Sequence, residues 1–220
     1  MTWSVVSSRY SASTTTQTGI SLTAGQLIIV GTFYNYPYST ANPSMVCSDG
    51  VNTYTNVNTS SPIYGTAGTS ISTWKAVAKT TTSVTISISS SYPSNIFIVI
   101  FNNTANPANL IKVDSYSFMT PPGSLQENYV SGTTTLAWYD GFLFSIWFHK
   151  DSTTLNSPYW TDSQGYTPII VNSDIGLFYK SSFGAPSYSD QVTTQAYIYA
   201  GNLLISLRLL HAECMMGILE

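Results

Sequence analysis

Residues 83–101 read SVTISISSSYPSNIFIVIF. Val84, Ile86 and Ile88 alternate with Thr85, Ser87 and Ser89, a period of two that buries one face of a strand and wets the other. From Ile96 to Phe101 every side chain is apolar, so both faces need cover. Such a strand belongs in the middle of a sheet with a layer on each side. The Ser, Tyr and Pro residues between the two runs break the pattern where a connection is required.

Shorter runs of the same kind lie at 27–33, 71–78, 141–148, 167–171, 176–180, 192–199 and 203–209, separated by Gly, Pro, Asn and Ser. No window shows the 3.6-residue helical period except the last dozen residues. The expectation is an all-β fold, an antiparallel β-sandwich of the jelly-roll or Ig-like kind. Composition agrees. Charged residues are 8% of the chain and aromatics 14%, with 16 Tyr, against about 25% charged in an ordinary soluble domain. Hydroxyl and amide side chains fill the polar positions, as in strands and turns.

Sliding the chain along itself reveals a repeat. Gly25-Gln26-Leu27-Ile28-Ile29-Val30 matches Gly141-Phe142-Leu143-Phe144-Ser145-Ile146. Ser48-Asp49 leading to Tyr54-Thr55 matches Thr161-Asp162 leading to Tyr166-Thr167. Thr73-Trp74-Lys75 matches Phe178-Tyr179-Lys180, Val84-Thr85 matches Val192-Thr193, and Asn95-Ile96-Phe97-Ile98 matches Asn202-Leu203-Leu204-Ile205. Five matches in one order predict two related halves, residues 1–105 and 133–220. Residues 106–132, with Pro107, Pro121, Pro122, Gly123 and Gly132, are expected to connect them across the surface. With four or five strands each, the halves are expected to close one core together, as a single sandwich or two tightly joined ones.

The net charge is −3. No basic patch can neutralise phosphates, which argues against nucleic-acid binding. The apolar runs are too short to span a membrane as helices. The first 19 residues lack a basic segment followed by an apolar one, so no signal peptide is expected. A surface this poor in charge suits a protein packed in an assembly, and a homo-oligomer is expected. Cys47 and Cys214 are read as free thiols rather than a disulfide framework.

The segments TAGQLIIVGTF (23–33), CSDGVNTYT (47–55), ISTWKAVAKTTTSVTISISSS (71–91) and NIFIVIFN (95–102) resemble a β-sandwich module of bacteriophage virion proteins and bacterial surface proteins. DGFLFSIWF (140–148), SQGYTPI (163–169), GLFYKSSFG (176–184) and AGNLLISLRLL (200–210) look like its second half. The resemblance covers about residues 20–210. It departs at Gly50, earlier in its turn than usual, and at Gln164-Gly165, where a Gly-Asn pair would stand. It implies a component of the virion without catalysis, a capsid decoration (cement) or head-fibre protein. Its partners would be the major capsid protein or other virion proteins. The alternative is a carbohydrate- or receptor-binding module of a tail or surface protein, touching a host glycan.

Few residues suggest chemistry. Seven Asp and three Glu are scattered. Asp49 and Asp162 sit at equivalent turns, where the choice is between calcium, which needs several oxygens, and an Asx-turn capping its own backbone. The Asx-turn is favoured, and no metal site or cofactor is expected. His149 and His211 have no G-x-S-x-G elbow to serve, and no carboxylate pair stands out, so no catalytic residue is assigned. Tyr34, Tyr36 and Tyr38, on the loop that follows the strand 27–33, and Trp160 are the candidate contact residues, as rigid aromatic anchors. The apolar C-terminal tail, with Leu210, Cys214 and Ile218 at helical spacing and Met215 beside them, is the candidate docking segment.

Overall fold

The computed structural model describes residues 3–36, 45–57, 68–89, 94–103, 111–119, 126–131, 133–134, 141–149, 160–172, 174–182, 188–198 and 200–209. Among them the regular elements are all strands. The first eight are β1 (Trp3–Ser11), β2 (Thr16–Leu22), β3 (Leu27–Tyr36), β4 (Cys47–Ser48), β5 (Thr55–Asn56), β6 (Gly68–Val77), β7 (Thr82–Ile88) and β8 (Ser94–Asn103). The second eight are β9 (Ile111–Met119), β10 (Gln126–Val130), β11 (Gly141–His149), β12 (Thr161–Asp162), β13 (Thr167–Val171), β14 (Ile175–Ser182), β15 (Gln191–Ile198) and β16 (Ala200–Leu209).

The first eight strands form a five-stranded sheet, β1-β8-β3-β6-β5, and a three-stranded sheet, β2-β7-β4. The order 1-8-3-6 facing 2-7-4 is that of a jelly roll, with the two-residue β5 moved to the edge of the larger sheet. The second eight form β9-β16-β11-β14-β13 and β10-β15-β12. Adding eight to each strand of the first half gives this order, strand for strand. All pairings are antiparallel.

Alternation along the strands assigns the layers. On β3 and β8, Leu27, Ile29, Phe33, Phe97, Val99 and Phe101 pack into one core together with Phe142, Phe144, Ile146 and Phe148 of β11 and Leu203, Ile205 and Leu207 of β16. The two five-stranded sheets therefore lie face to face. The other faces of β3 and β8, with Ile28, Val30, Ile96, Ile98 and Ile100, pack against Ile20, Leu22, Val84, Ile86 and Ile88 of the small sheet. In the second half Leu143, Trp147, Phe178 and Leu204 pack against Val192, Trp160 and Tyr166. The result is a four-layer stack of three, five, five and three strands. The two-sided apolar strand 96–101 is central and covered on both faces, as its pattern demands.

Three expectations change. Among the described residues each half carries eight strands rather than four or five, and has an outer core of its own besides the shared one, as in the alternative of two tightly joined sandwiches. Residues 106–132 are not only a connector. They hold β9, which lies along the edge of β16 from Asn202↔Met119 to Leu209↔Ile111, and β10, which pairs with β15. Without β9, the outer row of N–H and C=O groups on β16 would be open. The sequence matches also set opposite faces against each other. Leu27 faces the shared core while Leu143 faces the outer one, and Ile96 and Leu203 are likewise reversed. Val84 and Val192, and Tyr54 and Tyr166, do fill like positions, each beside the outer core of its half. A one-residue shift suffices for this, because it exchanges the faces of a strand.

At one edge β1 lies over β13. There the Tyr10 hydroxyl donates to Asp174 Oδ2 at 2.6 Å, joining residues 164 apart in the chain. The Tyr10 ring stacks on Phe33 with centroids 6.2 Å apart. Burial, and then the Asp174 carboxylate, hold this phenol protonated well above its ordinary range. Tyr10→Phe keeps the stacking and removes the bond. A loss of about 1–2 kcal/mol is expected in urea unfolding.

Candidate functional site

The turn after β4 is organised by Asp49. Its Oδ1 accepts the backbone N–H groups of Val51 (2.9 Å) and Asn52 (2.7 Å), and its Oδ2 accepts Asn52 Nδ2 (2.7 Å) and the Tyr54 hydroxyl (3.0 Å). Burial alone would raise its pKa, but these four donors outweigh burial and lower it. In the second half Asp162 accepts the backbone N–H groups of Gln164 (3.1 Å) and Tyr166 (2.8 Å). Both are Asx-type caps. No group of three or more His, Cys, Asp or Glu that could hold a metal ion occurs among the described residues. Beside Asp49, Cys47 is a buried free thiol. Burial, then the Asp49 charge, pushes it up to about 12, so it is unreactive at neutral pH.

The second half differs from the first in one respect that its sequence hides. Between its two sheets lies a buried polar cluster built on Asp190, which is 0% exposed. Asp190 Oδ2 accepts the Ser145 hydroxyl (2.5 Å) and Trp147 Nε1 (2.6 Å), both from β11. Asn202 Nδ2, on β16, donates to Ser145 Oγ (3.0 Å) and to the Ile146 carbonyl (3.1 Å). The backbone N–H of Asp190 donates to Ser131 Oγ (2.7 Å), and its carbonyl accepts the Ser131 N–H (2.8 Å). Asp190 Oδ1, Asn202 Oδ1 and Trp160 Nε1 are buried and meet no hydrogen-bond partner. The Asp162 carboxyl lies within hydrogen-bonding reach of Asp190. Burial first, and Asp162 next, push Asp190 up to about 7.

Trp160 belongs to this interior. It is 3% exposed and packs on Trp147 with centroids 6.2 Å apart. Its ring fits against Gly176, where a Cβ would come within 2.9 Å of Trp160 Cγ. This corrects its reading as a surface contact, because a ring this large is worth more in a core than in solvent. Tyr34 and Tyr36 are not on a loop: β3 runs on through them, paired with Ser70 and Gly68 of β6. Tyr38, His211 and the tail residues Leu210, Cys214, Met215 and Ile218 lie outside the described residues. No family model, curated protein or solved structure matches this chain.

The surface best defined is the outer face of β2-β7-β4. Thr16, Ser21, Ser48, Ser83, Thr85 and Ser87 alternate with the buried residues of the same strands. Thr16 and Ser87 stand opposite each other and share a hydroxyl hydrogen bond of 3.3 Å. All six side chains are uncharged hydroxyls. Next to this face, the Arg9 guanidinium is held by the Thr18 and Gly19 carbonyls at 2.8 and 2.9 Å. The sequence announced the alternation that builds this face. It gave little sign of the Asp190 cluster beyond Ser145 interrupting the apolar series Leu143, Trp147.

Proposed function

We propose that this protein is a non-enzymatic structural component of a bacteriophage particle, of the capsid-decoration or head-fibre kind, acting through protein–protein contacts as a homo-oligomer. The observation that carries the reading is the doubled jelly-roll order, with both large sheets used against each other. Jelly rolls serve widely as virion building blocks and as lectins, a fold-level analogy and not a site. The resemblance of residues 20–210 to virion β-sandwich modules supports the same reading.

Stacking the large sheets leaves the small-sheet outer faces and the loops for contact with other molecules. The described outer face of β2-β7-β4 offers hydroxyl groups and backbone rather than charge. Contacts made there depend on shape, apolar burial at the rim and neutral hydrogen bonds. Binding to a particle should therefore change little with salt, unlike an electrostatically steered association.

The test is co-sedimentation of purified protein with particles lacking it, at low and at high salt, with the oligomeric state measured in parallel. Saturable, stoichiometric binding that survives high salt is expected. A strictly monomeric protein that stays in the supernatant sinks the proposal. Saturable glycan binding without particle binding would transfer the reading to a carbohydrate-binding module.

A further inference from the structure

We propose that Asp190 is held protonated, donates that proton to the Asp162 carboxyl group and so forms a pH-sensitive clasp, which fastens the β10-β15-β12 sheet to β11 while Asp190 is protonated and loosens it when Asp190 ionises. The inference stands apart from the proposed virion role and rests on the chemistry of the buried cluster.

The donors and acceptors leave one consistent assignment. Trp147 Nε1 can only donate, and it donates to Asp190 Oδ2. Ser145 Oγ accepts Asn202 Nδ2, so its own proton is directed to the same Oδ2. Asp190 Oδ2 is thus fully served as an acceptor. Oδ1 is buried and meets no donor. An ionised carboxylate in that position would carry an unserved oxygen in a low-dielectric interior, which is costly. The group within reach is the Asp162 carboxyl, itself an acceptor for the Gln164 and Tyr166 N–H groups. Two acceptors in contact become a donor–acceptor pair when one proton lies between them. Asp190 is fully buried and its Oδ1 meets no donor, so the proton resides on Asp190.

The clasp joins three elements. Asp162 ends β12, which pairs with β15 through Asp162↔Val192. Asp190 directly precedes β15. Ser145 and Trp147 are on β11, at the centre of the large sheet. Among the described residues, the other titratable groups packed around the pair are Tyr166 and Tyr188, both phenols, and Lys180 on β14. Lys180 gives its ammonium to the Gln164 carbonyl (2.6 Å) and lies over the Tyr166 ring, 5.3 Å from its centre.

The sign of the effect follows from the raised pKa of Asp190 in the folded chain. An unfolded Asp releases its proton near about pH 4. Between there and about 7, the folded state holds a proton that the unfolded state does not. Stability from this group is therefore present at the acid end, falls as pH rises through the window, and is lost above it.

The experiment uses the full chain. Infrared spectra in deuterated buffer are recorded from about pH 5 to about 8.5, alongside thermal melts and amide exchange of β12 and β15. The expected result is a protonated-carboxyl band at the acid end that disappears through neutrality, with a falling Tm and faster exchange in those two strands. Asp190→Asn should remove the band and flatten the Tm profile, because the amide can donate to Asp162 as the acid does. Asp162→Asn should move the midpoint of the band to lower pH. If Asp190→Asn does not fold, the wild-type band decides, since its absence at the acid end overturns the proposal. So would an unchanged pH profile in Asp190→Asn or an unmoved midpoint in Asp162→Asn.

Discussion

Phe101→Ala is expected to cost about 3–5 kcal/mol, the range for removing a fully buried aromatic ring. For a chain of this size that is a fall in Tm on the order of 10 °C. Phe101 is 0% exposed, on the face of β8 that meets the other half. Its ring is edge-on to Phe142 with centroids 4.7 Å apart, edge-on to Phe144 at 5.9 Å and to Tyr179 at 5.9 Å, and near Trp3 at 6.4 Å. Phe142, Phe144 and Tyr179 come from the second half, so the substitution opens a cavity at the junction of the halves. A double-mutant cycle with Phe142→Ala should show coupling of about 1 kcal/mol, the usual extra worth of an edge-to-face pair. Urea unfolding monitored by Trp fluorescence measures both quantities. A cost below about 1 kcal/mol would mean that each half is stable without the shared core.

Gly31→Ala should be nearly as damaging, against the normal trend. Alanine in place of a strand glycine ordinarily gains about 0.5–1 kcal/mol from lost freedom in the unfolded chain. Here Gly31 pairs directly with Phe97 of β8, and that ring lies across it. A Cβ at residue 31 would overlap Phe97 Cζ and approach Cε1 to 2.5 Å and Cε2 to 2.9 Å. The ring cannot swing away easily, because Phe97 is 0% exposed and packs beside Phe144 with centroids 6.5 Å apart. Overpacking of this severity costs about 3 kcal/mol. Phe97→Leu in the Gly31→Ala background should recover part of the loss, a non-additivity that only direct contact produces. If Gly31→Ala alone proves neutral in urea unfolding, the ring does not occupy that position.

Much of the architecture was legible in the residues. The nine runs picked out by period and turn residues are all strands, because each carries its burial pattern locally. Seven strands lie outside these runs: β4, β5 and β12 have only two residues each, and β1, β2, β9 and β10 mix polar residues among the apolar ones. β1, for example, reads WSVVSSRYS and has a register shift between Val5 and Ser7. The aromatic residues show the other limit. Trp160 follows Ser157-Pro158-Tyr159 and looks like a loop anchor, yet it is buried against Trp147. The partner that claims it lies in a different strand, and nothing near residue 160 announces it.

By itself, the sequence determined that the described elements are strands, that the central ones are covered on both sides, and that Asp49 and Asp162 cap their own turns. These are properties of neighbours in the chain, fixed by alternation and by short side chains reaching backbone N–H groups. Only the tertiary structure decided which apolar face meets the other half and which meets the small sheet, because two apolar faces of a strand are chemically alike. It also brought Asp190 to Asp162, Ser145 and Trp147. Contacts between residues more than 25 apart depend on sheet order and register, which local periodicity does not encode.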